Sequence, residues 1–296
     1  MKDSFSSYHP LVNLTYFIMV IGISIFIMHP IIIAVSFFSS LIYSIKLNGK
    51  TAVKFNFYYM IPVMLISAAF NPIFVHEGAT VLTYFFNGNP LTLESIVYGA
   101  ASSAMLVSVI IWFSCFNYVM SSDKLIFLFG RIMPGMSLII SMVLRLVPKY
   151  KSQIKNIANG QRCIGRDISK GRMIDRARYG LKILSIMLTW ALENGVDTAD
   201  SMKSRGYGLR GRTSFSNYRF DSRDKKAVFA MFIIGIVLIY GMTLGYTSIR
   251  FYPTVKMAEF TNVSFTVYIF FGILCCMPVI IDFGEELKWK YLKLTA

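Results

Sequence analysis

Charged side chains are scarce in this sequence. They make up 15% of its 296 residues, whereas hydrophobic residues make up 55%. A soluble domain carries about 25% charged residues, so this composition excludes a chain whose whole surface meets water. The mean hydropathy is +0.56, and several apolar runs approach or exceed the roughly 20 residues that cross a bilayer. The sequence therefore predicts an all-α integral membrane protein.

Groups of metal-binding or catalytic residues are also lacking. The three histidines and four cysteines have spacings that match neither a zinc site nor a disulfide framework. His76-Glu77 is not followed by the second histidine of an H-E-x-x-H motif, and there is no G-x-x-x-x-G-K-[ST] phosphate loop. We therefore expect no catalytic residue, metal site, cofactor or nucleic-acid partner. An intramembrane enzyme is an alternative, but its site would need a cluster of titratable groups.

Polar residues in the middle of the apolar runs are few. A self-contained permease, which is a second alternative, would bind its substrate through polar or charged groups at mid-span. The polar candidates Asn71, Asn117 and Asp282 all lie near the ends of apolar runs. This placement favours a membrane scaffold over a carrier.

The apolar runs predict six membrane spans. No signal-peptide pattern precedes the first run, and His29-Pro30 divides Leu11–Ile45 into two spans because proline disfavours helix at the residue before it. The other four spans are Phe57–Val75, Leu91–Val119, Ala227–Thr247 and Val263–Ile281. We expect three regions: N-terminal spans over residues 1–120, a cytoplasmic module over 121–226, and C-terminal spans with a tail over 227–296.

Basic residues are concentrated in one segment. Arg145–Lys226 contains 19 of the 30 Lys and Arg residues and seven acidic residues, whereas His76–Pro90 contains no Lys or Arg. Since cytoplasmic loops of membrane proteins are enriched in Lys and Arg, Arg145–Lys226 and the Lys46–Lys54 loop are predicted to be cytoplasmic. His76–Pro90, which includes Asn87, is predicted to be external. Both termini are then cytoplasmic in a multi-pass membrane protein, and a prokaryotic cell membrane is implied by the family resemblance given below.

The basic segment is predicted to hold two long helices. One runs from Gly135 to about Cys163 and the other from about Asp175 to Arg205, which is about 45 Å at 1.5 Å per residue. Each begins apolar and ends basic. The short amphipathic stretch Asp123–Met133 precedes them and stops at Pro134-Gly135. Helical spacing of apolar residues over Leu184–Met202 predicts a packed second helix.

The end of the second helix carries a recognisable motif. Glu193–Gly208 reads ENGVDTADSMKSRGYG and resembles the second signature of the transmembrane (T) component of energy-coupling factor transporters, a family that includes cobalt-transport permease subunits. Ser204-Arg205-Gly206 stands where the family has Ala-Arg-Gly. About 40 residues earlier, Gln161–Arg166 resembles the first signature, with Ile164 at the position of its arginine.

The resemblance implies a role and a set of partners. T components are membrane scaffolds whose two long coupling helices cross near the cytoplasmic face. Each helix tip docks on one of two ABC-type ATPase subunits, and the membrane part holds a small substrate-binding (S) component for a vitamin or a transition-metal ion. The implied ATPase-docking residues are Ser204, Arg205, Gly206, Arg162, Ile164, Gly165 and Arg166. The basic neighbours Lys203, Arg210 and Arg212 either add attraction to acidic partner surfaces or anionic lipid, or simply mark a cytoplasmic segment.

Overall fold

The computed structural model describes residues 3–84, 88–169, 172–209, 218–257 and 261–295. The chain forms two compact units. We call Met1–Leu125 together with Tyr218–Ala296 the membrane unit, and Ile126–Asn217 the two-helix unit. Asn87, Arg210 and Arg212, which the sequence analysis singled out, lie outside the described residues.

Helices dominate both units. The helices are α1 Pro10–Phe26, α2 Pro30–Asn48, α3 Lys50–Phe55, α4 Ile61–Phe74, α5 Leu93–Val119, α6 Ser122–Ile132, α7 Pro134–Cys163, α8 Met173–Ser204, α9 Ser222–Thr243 and α10 Asn262–Thr295. A π-helical turn, Asn56–Met60, joins α3 to α4, so that Lys50–Phe74 forms one apolar helical segment. A short 3-10 helix over Phe5–Ser7 precedes α1.

Membrane spans appear where the sequence predicts them. In the described part of the chain, five helices are long and apolar enough to cross a membrane, and Pro10–Phe26 is a shorter apolar helix of 17 residues. The predicted break at Pro30 is confirmed, and α2 is one of the five candidate spans whereas α1 is the shorter helix. Helix α1 ends at Phe26 and α2 begins at Pro30. Proline suits the first position of a helix because it lacks a backbone N–H, and that position needs none for the helical hydrogen bonds. The prediction of an all-α membrane protein is confirmed.

The core of the membrane unit lies around Trp112 of α5. Its indole Nε1 donates a hydrogen bond of 3.0 Å to Ser36 Oγ of α2, which also lies 2.8 Å from Ser24 Oγ of α1. The Tyr16 and Phe17 rings of α1 contact the Trp112 ring edge-on. Three helices are therefore joined by a buried polar network inside an aromatic cluster, which satisfies hydroxyls that would otherwise be costly to bury.

Small residues allow the membrane helices to approach closely. A Cβ atom on Gly241 of α9 would lie 2.4 Å from Val267 of α10, and one on Gly99 of α5 would lie 2.6 Å from the Ala68 carbonyl oxygen of α4. Such close contacts supply the van der Waals packing that associates helices in a bilayer.

Two small antiparallel ribbons interrupt the helical pattern. Strand β1 (Val81–Tyr84) pairs with β2 (Pro90–Thr92), and β3 (Ile249–Arg250) pairs with β4 (Lys256–Met257). The Ala79 amide donates a hydrogen bond of 3.0 Å to the Pro253 carbonyl oxygen and so links the two connections. The sequence does not predict these strands, since strands of two to four residues leave no period that a sequence pattern reveals.

Candidate functional site

The two-helix unit is held together by an aromatic and cationic contact between α7 and α8. The rings of Tyr150 and Trp190 meet edge-on with centroids 5.7 Å apart. Lys149 places its Nζ 5.3 Å from the centroid of the Trp190 ring and donates a hydrogen bond of 2.8 Å to Asn194 Oδ1. The sequence did not predict these contacts because their partners lie 40 or more positions apart. A tryptophan within a strongly basic segment was the one available signal.

Helix α7 ends in a glycine cap that we call the first tip (residues 161–167). The Gly165 amide donates to the Arg162 carbonyl at 3.0 Å, and the Arg166 amide donates to the Gln161 carbonyl at 3.0 Å. Gly165 has φ +79°, in the left-handed region that glycine adopts without steric cost. This pair of hydrogen bonds defines a Schellman cap.

Helix α8 ends with the same geometry at what we call the second tip (residues 202–207). The Gly206 amide donates to the Lys203 carbonyl at 2.9 Å, and the Tyr207 amide donates to the Met202 carbonyl at 3.0 Å. Gly206 has φ +80°. A glycine therefore ends both helices, and the helix bounds match those expected within two residues.

The matching hydrogen bonds of the two caps show which residues of one tip are equivalent to which residues of the other. Ile164 and Arg205 occupy the same position, the last residue before the left-handed glycine, with (φ, ψ) of −96°, 20° and −85°, 9°. Arg166 corresponds in the same way to Tyr207. The alignment of the two sequence motifs therefore has a backbone counterpart, and the side chains at equivalent positions differ in charge.

The two arginines of the first tip have different surroundings. Arg162 lies inside α7, and its Nε is 3.2 Å from Asp167 Oδ2. Arg166 follows Gly165 and is exposed. Asp167 also accepts hydrogen bonds from the Ser169 amide and hydroxyl. Helix α7 continues through Gly160 and ends at Cys163.

Apolar and aromatic side chains are exposed at both tips. Ile164 is 61% exposed, and Tyr207 and Leu209 beside the second tip are also exposed. Arg205 is exposed at the equivalent position of the second tip, where the Ser204 hydroxyl donates to the Ser201 carbonyl at 3.0 Å. Lys203 pairs with Asp200 at 4.0 Å. The structure thus brings each set of predicted residues together at one helix end, with side chains open to contact.

The apolar half of α8 is less buried than its pattern predicts. Met187 is buried, but Leu184, Leu188 and Leu192 are between 54% and 70% exposed. Ile139, Val143 and Val147 of α7 are likewise more than half exposed. Both long helices therefore carry an exposed apolar face.

Comparison with known proteins identifies relatives of the chain. It is 33% identical over 106 residues to the energy-coupling factor transporter transmembrane protein EcfT of Lactobacillus helveticus. The matched segment covers 35% of this chain and 38% of that protein. The protein of the same name from Streptococcus thermophilus is 30% identical over 104 residues (35% and 39% of the two chains). The one from Staphylococcus aureus is 24% identical over 177 residues (56% and 66%).

The chain is similar to energy-coupling factor transporter transmembrane proteins over part of its length. It spans about two fifths of the length of the first two of these relatives in the matched segments, and no protein-family model matches it. The names of the three relatives specify no transported substrate, so the cobalt association of the resembled family finds no support in them. Their names describe membrane subunits of transporters, as expected for a chain with several apolar helices.

Proposed function

We propose that this chain is the membrane-embedded coupling subunit of an energy-coupling factor importer. Its two tips dock on two ABC-type ATPase subunits, and its membrane part holds an S component that binds a vitamin or a transition-metal ion. The observation that carries the proposal is the pair of equivalent Schellman caps on α7 and α8. Two docking partners of one kind require two matching ends, and the chain supplies them.

The two tips are nearly equidistant from the point where their helices touch. Fourteen residues separate Tyr150 from Ile164, and fifteen separate Trp190 from Arg205, which corresponds to about 21 Å and 22 Å at 1.5 Å per residue. Movement of either ATPase would therefore act on the contact between Tyr150 and Trp190 through an arm of similar length. The exposed apolar faces of α7 and α8 suit contact with an apolar partner such as the S component.

The docking chemistry differs between the tips. Arg205 offers a planar guanidinium, which pairs bidentately with a carboxylate and fixes its angle as well as its distance. At the first tip, Ile164 packs in an apolar part of the ATPase groove and Arg166, beyond the helix end, makes the polar contact. Arg162 is turned toward Asp167 of its own chain and contributes less.

A comparison of tip variants tests this proposal. Losing a charge-assisted contact at a buried interface costs about 2–5 kcal/mol, so Arg205→Ala should abolish ATPase co-purification and substrate uptake while the protein remains inserted. Arg205→Lys should restore them only in part, because an ammonium lacks the planar fork. Arg162→Ala and Arg166→Ala should cause smaller losses, and Ile164→Asp a large one.

Arg145→Ala serves as a matched control, since it removes an exposed arginine of α7 away from both tips. Full uptake by Arg205→Ala would contradict the docking assignment. Defects of Arg162→Ala or Arg166→Ala as large as that of Arg205→Ala would contradict the division of roles between the tips. An Ile164→Asp protein that co-purifies with the ATPases as well as the wild type would rule out apolar docking.

A further inference from the structure

An apolar groove opens on the membrane unit between α2, the segment Lys50–Phe74 and α5. Its cavity volume is about 270 Å³, and its walls include Leu41, Ile45, Phe57, Met64, Val107 and Ile111. An apolar cavity of about 150 Å³ holds a benzene molecule. The groove therefore has room for a hydrocarbon segment about twice that size.

The dimensions of the groove match a single extended hydrocarbon chain. Its lining on the Lys50–Phe74 segment runs from Val53 to Met64, which is about 16 Å of helix. Half of the roughly 30 Å hydrocarbon core of a bilayer is about 15 Å, so the groove extends over one leaflet. The 270 Å³ is the space open to the centre of a water molecule, so over that length the groove is about 5 Å wide for such centres. Adding a water radius of about 1.4 Å on each side gives about 8 Å between the walls, whereas a helix with its side chains is about 10–12 Å across.

Two lysines lie at one end of the groove. Lys50 and Lys54 are exposed, and in the part of the chain that the structure describes neither of them forms an ion pair. Lys50 precedes the lining residue Val53 by three positions, and so lies on the same helix face about 4.5 Å nearer the membrane surface. This arrangement places uncompensated positive charge at headgroup level, where anionic lipids attract Lys and Arg.

A buried polar atom lies in the wall near the same end. Asn56 is 8% exposed and begins the π-helical turn. Its Nδ2 donates a long hydrogen bond of 3.5 Å to Ser44 Oγ, while its Oδ1 is buried and has no partner among the described residues. Buried acceptors are normally satisfied, and π-helical turns are frequent at functional sites. A bound molecule with a hydroxyl group would donate the missing hydrogen bond to Asn56 Oδ1.

We propose that the groove binds one acyl chain of an anionic phospholipid, with the phosphate between Lys50 and Lys54 and a headgroup hydroxyl donating to Asn56. Phosphatidylglycerol carries both the charge and the hydroxyls. The mouth of the groove is lined by exposed apolar residues, among them Val53, Phe57 and Ile61, so a lipid chain can enter sideways from the bilayer. This site is independent of the proposed coupling function.

The test is lipid binding to the full chain in detergent, measured by native mass spectrometry with phosphatidylglycerol, phosphatidic acid and phosphatidylcholine of the same acyl length. We expect phosphatidylglycerol to bind most tightly and phosphatidylcholine least. Attraction at the membrane surface corresponds to about a fivefold change in affinity per lysine, so the variant with Lys50→Gln and Lys54→Gln should lose about 25-fold. Asn56→Leu should remove the preference for phosphatidylglycerol over phosphatidic acid.

Matched controls separate the groove from general surface effects. The pair Lys225→Gln and Lys226→Gln removes two exposed lysines at the start of α9 and should leave binding unchanged. Ile61→Trp, at the mouth, should reduce binding at least tenfold, whereas Ile73→Trp, an exposed position of the same helix outside the groove, should not. Equal binding of phosphatidylglycerol and phosphatidylcholine, or equal losses in the two lysine pairs, would overturn the proposal. Unchanged lipid binding by Ile61→Trp would also overturn the proposal. If the same variant then lost S-component co-purification, the groove would be assigned to a protein partner.

Discussion

Replacing Asp3 by asparagine is expected to stabilise the membrane unit at pH 8. Asp3 Oδ2 accepts a hydrogen bond of 3.2 Å from the Tyr43 hydroxyl, and the Phe5 amide is shared between Asp3 Oδ1 at 3.2 Å and Asp282 Oδ1 at 3.1 Å. The Lys46 ammonium lies 3.2 Å from Asp282 Oδ2. Two carboxylates thus share one amide donor, and the lysine pairs with Asp282.

Burial and the adjacent Asp282 carboxylate raise the pKa of Asp3 from 3.8 to about 6. The difference corresponds to about 3 kcal/mol at 1.36 kcal/mol per pKa unit, and solvent screening of this half-buried group reduces it to about 1–2 kcal/mol. Because the pKa is higher in the folded state, protonated Asp3 favours folding. Its contribution is complete below pH 3.8 and is lost as the pH rises through about 6.

Asparagine imitates the protonated carboxyl group at every pH, because it offers both a donor and an acceptor. The Asp3→Asn protein should therefore have an apparent Tm on the order of 2–4 °C above the wild type at pH 8. The difference should shrink as the pH falls through 6 and disappear toward 3.8. The assay is thermal unfolding of the detergent-solubilised full chain between pH 4 and 8, with any affinity tag at the C-terminus because the N-terminal segment is packed.

Asp197→Asn, at an exposed acidic residue of α8, is the control and should keep the pH dependence of the wild type. In Asp282→Asn the Asp3 carboxylate loses its negative neighbour, so the pH at which stability falls should shift to a lower value. A lower Tm for Asp3→Asn at pH 8, or a wild-type pH dependence that survives the substitution, would refute the assignment.

Two further predictions concern the helix ends and the orientation of the chain. Alanine at Gly165 or Gly206 must adopt a positive φ, which costs roughly 1–2 kcal/mol per residue, and at Gly206 its Cβ would also lie 3.1 Å from Leu209 Cδ1. Both variants should lose ATPase co-purification in a pull-down assay, whereas Gly195→Ala inside α8, where a Cβ meets nothing within 4 Å, should retain it; equal behaviour of all three would show that the caps are dispensable. In intact cells an impermeant thiol reagent should label Asn87→Cys but not Lys50→Cys in a cysteine-free background, and the reverse pattern would invert the predicted topology.

Elements that depend on local sequence could be predicted from the sequence. Apolar runs gave the membrane spans, Pro30 marked the break between α1 and α2, and Gly165 and Gly206 marked the ends of α7 and α8. Each of these sequence features determines the structure only of residues within a few positions of itself. The backbone of the candidate site was for that reason within reach of a sequence argument.

Features that depend on contacts between distant segments could not be predicted. Asp3 lies beside Tyr43 and Asp282, which are 40 and 279 positions away in the sequence. No periodicity of the sequence indicates such a contact. The π-helical turn at Asn56–Met60 follows no composition rule. The leucines of α8 have core-like spacing and are nevertheless exposed, because spacing tells which residues share a face and not what covers that face.

The two tips separate the shape of a docking element from its charge. A Schellman cap is built from main-chain hydrogen bonds and one left-handed glycine, so it places no demand on the residue before the glycine. That residue is therefore free to differ, and it is Ile164 in one tip and Arg205 in the other while the caps keep the same hydrogen bonds. If the tips dock as proposed, a helix end of fixed shape presents an apolar contact to one ATPase subunit and a guanidinium to the other. The proposed docking therefore predicts that different side chains at equivalent positions adapt the tips to two non-identical ATPase grooves.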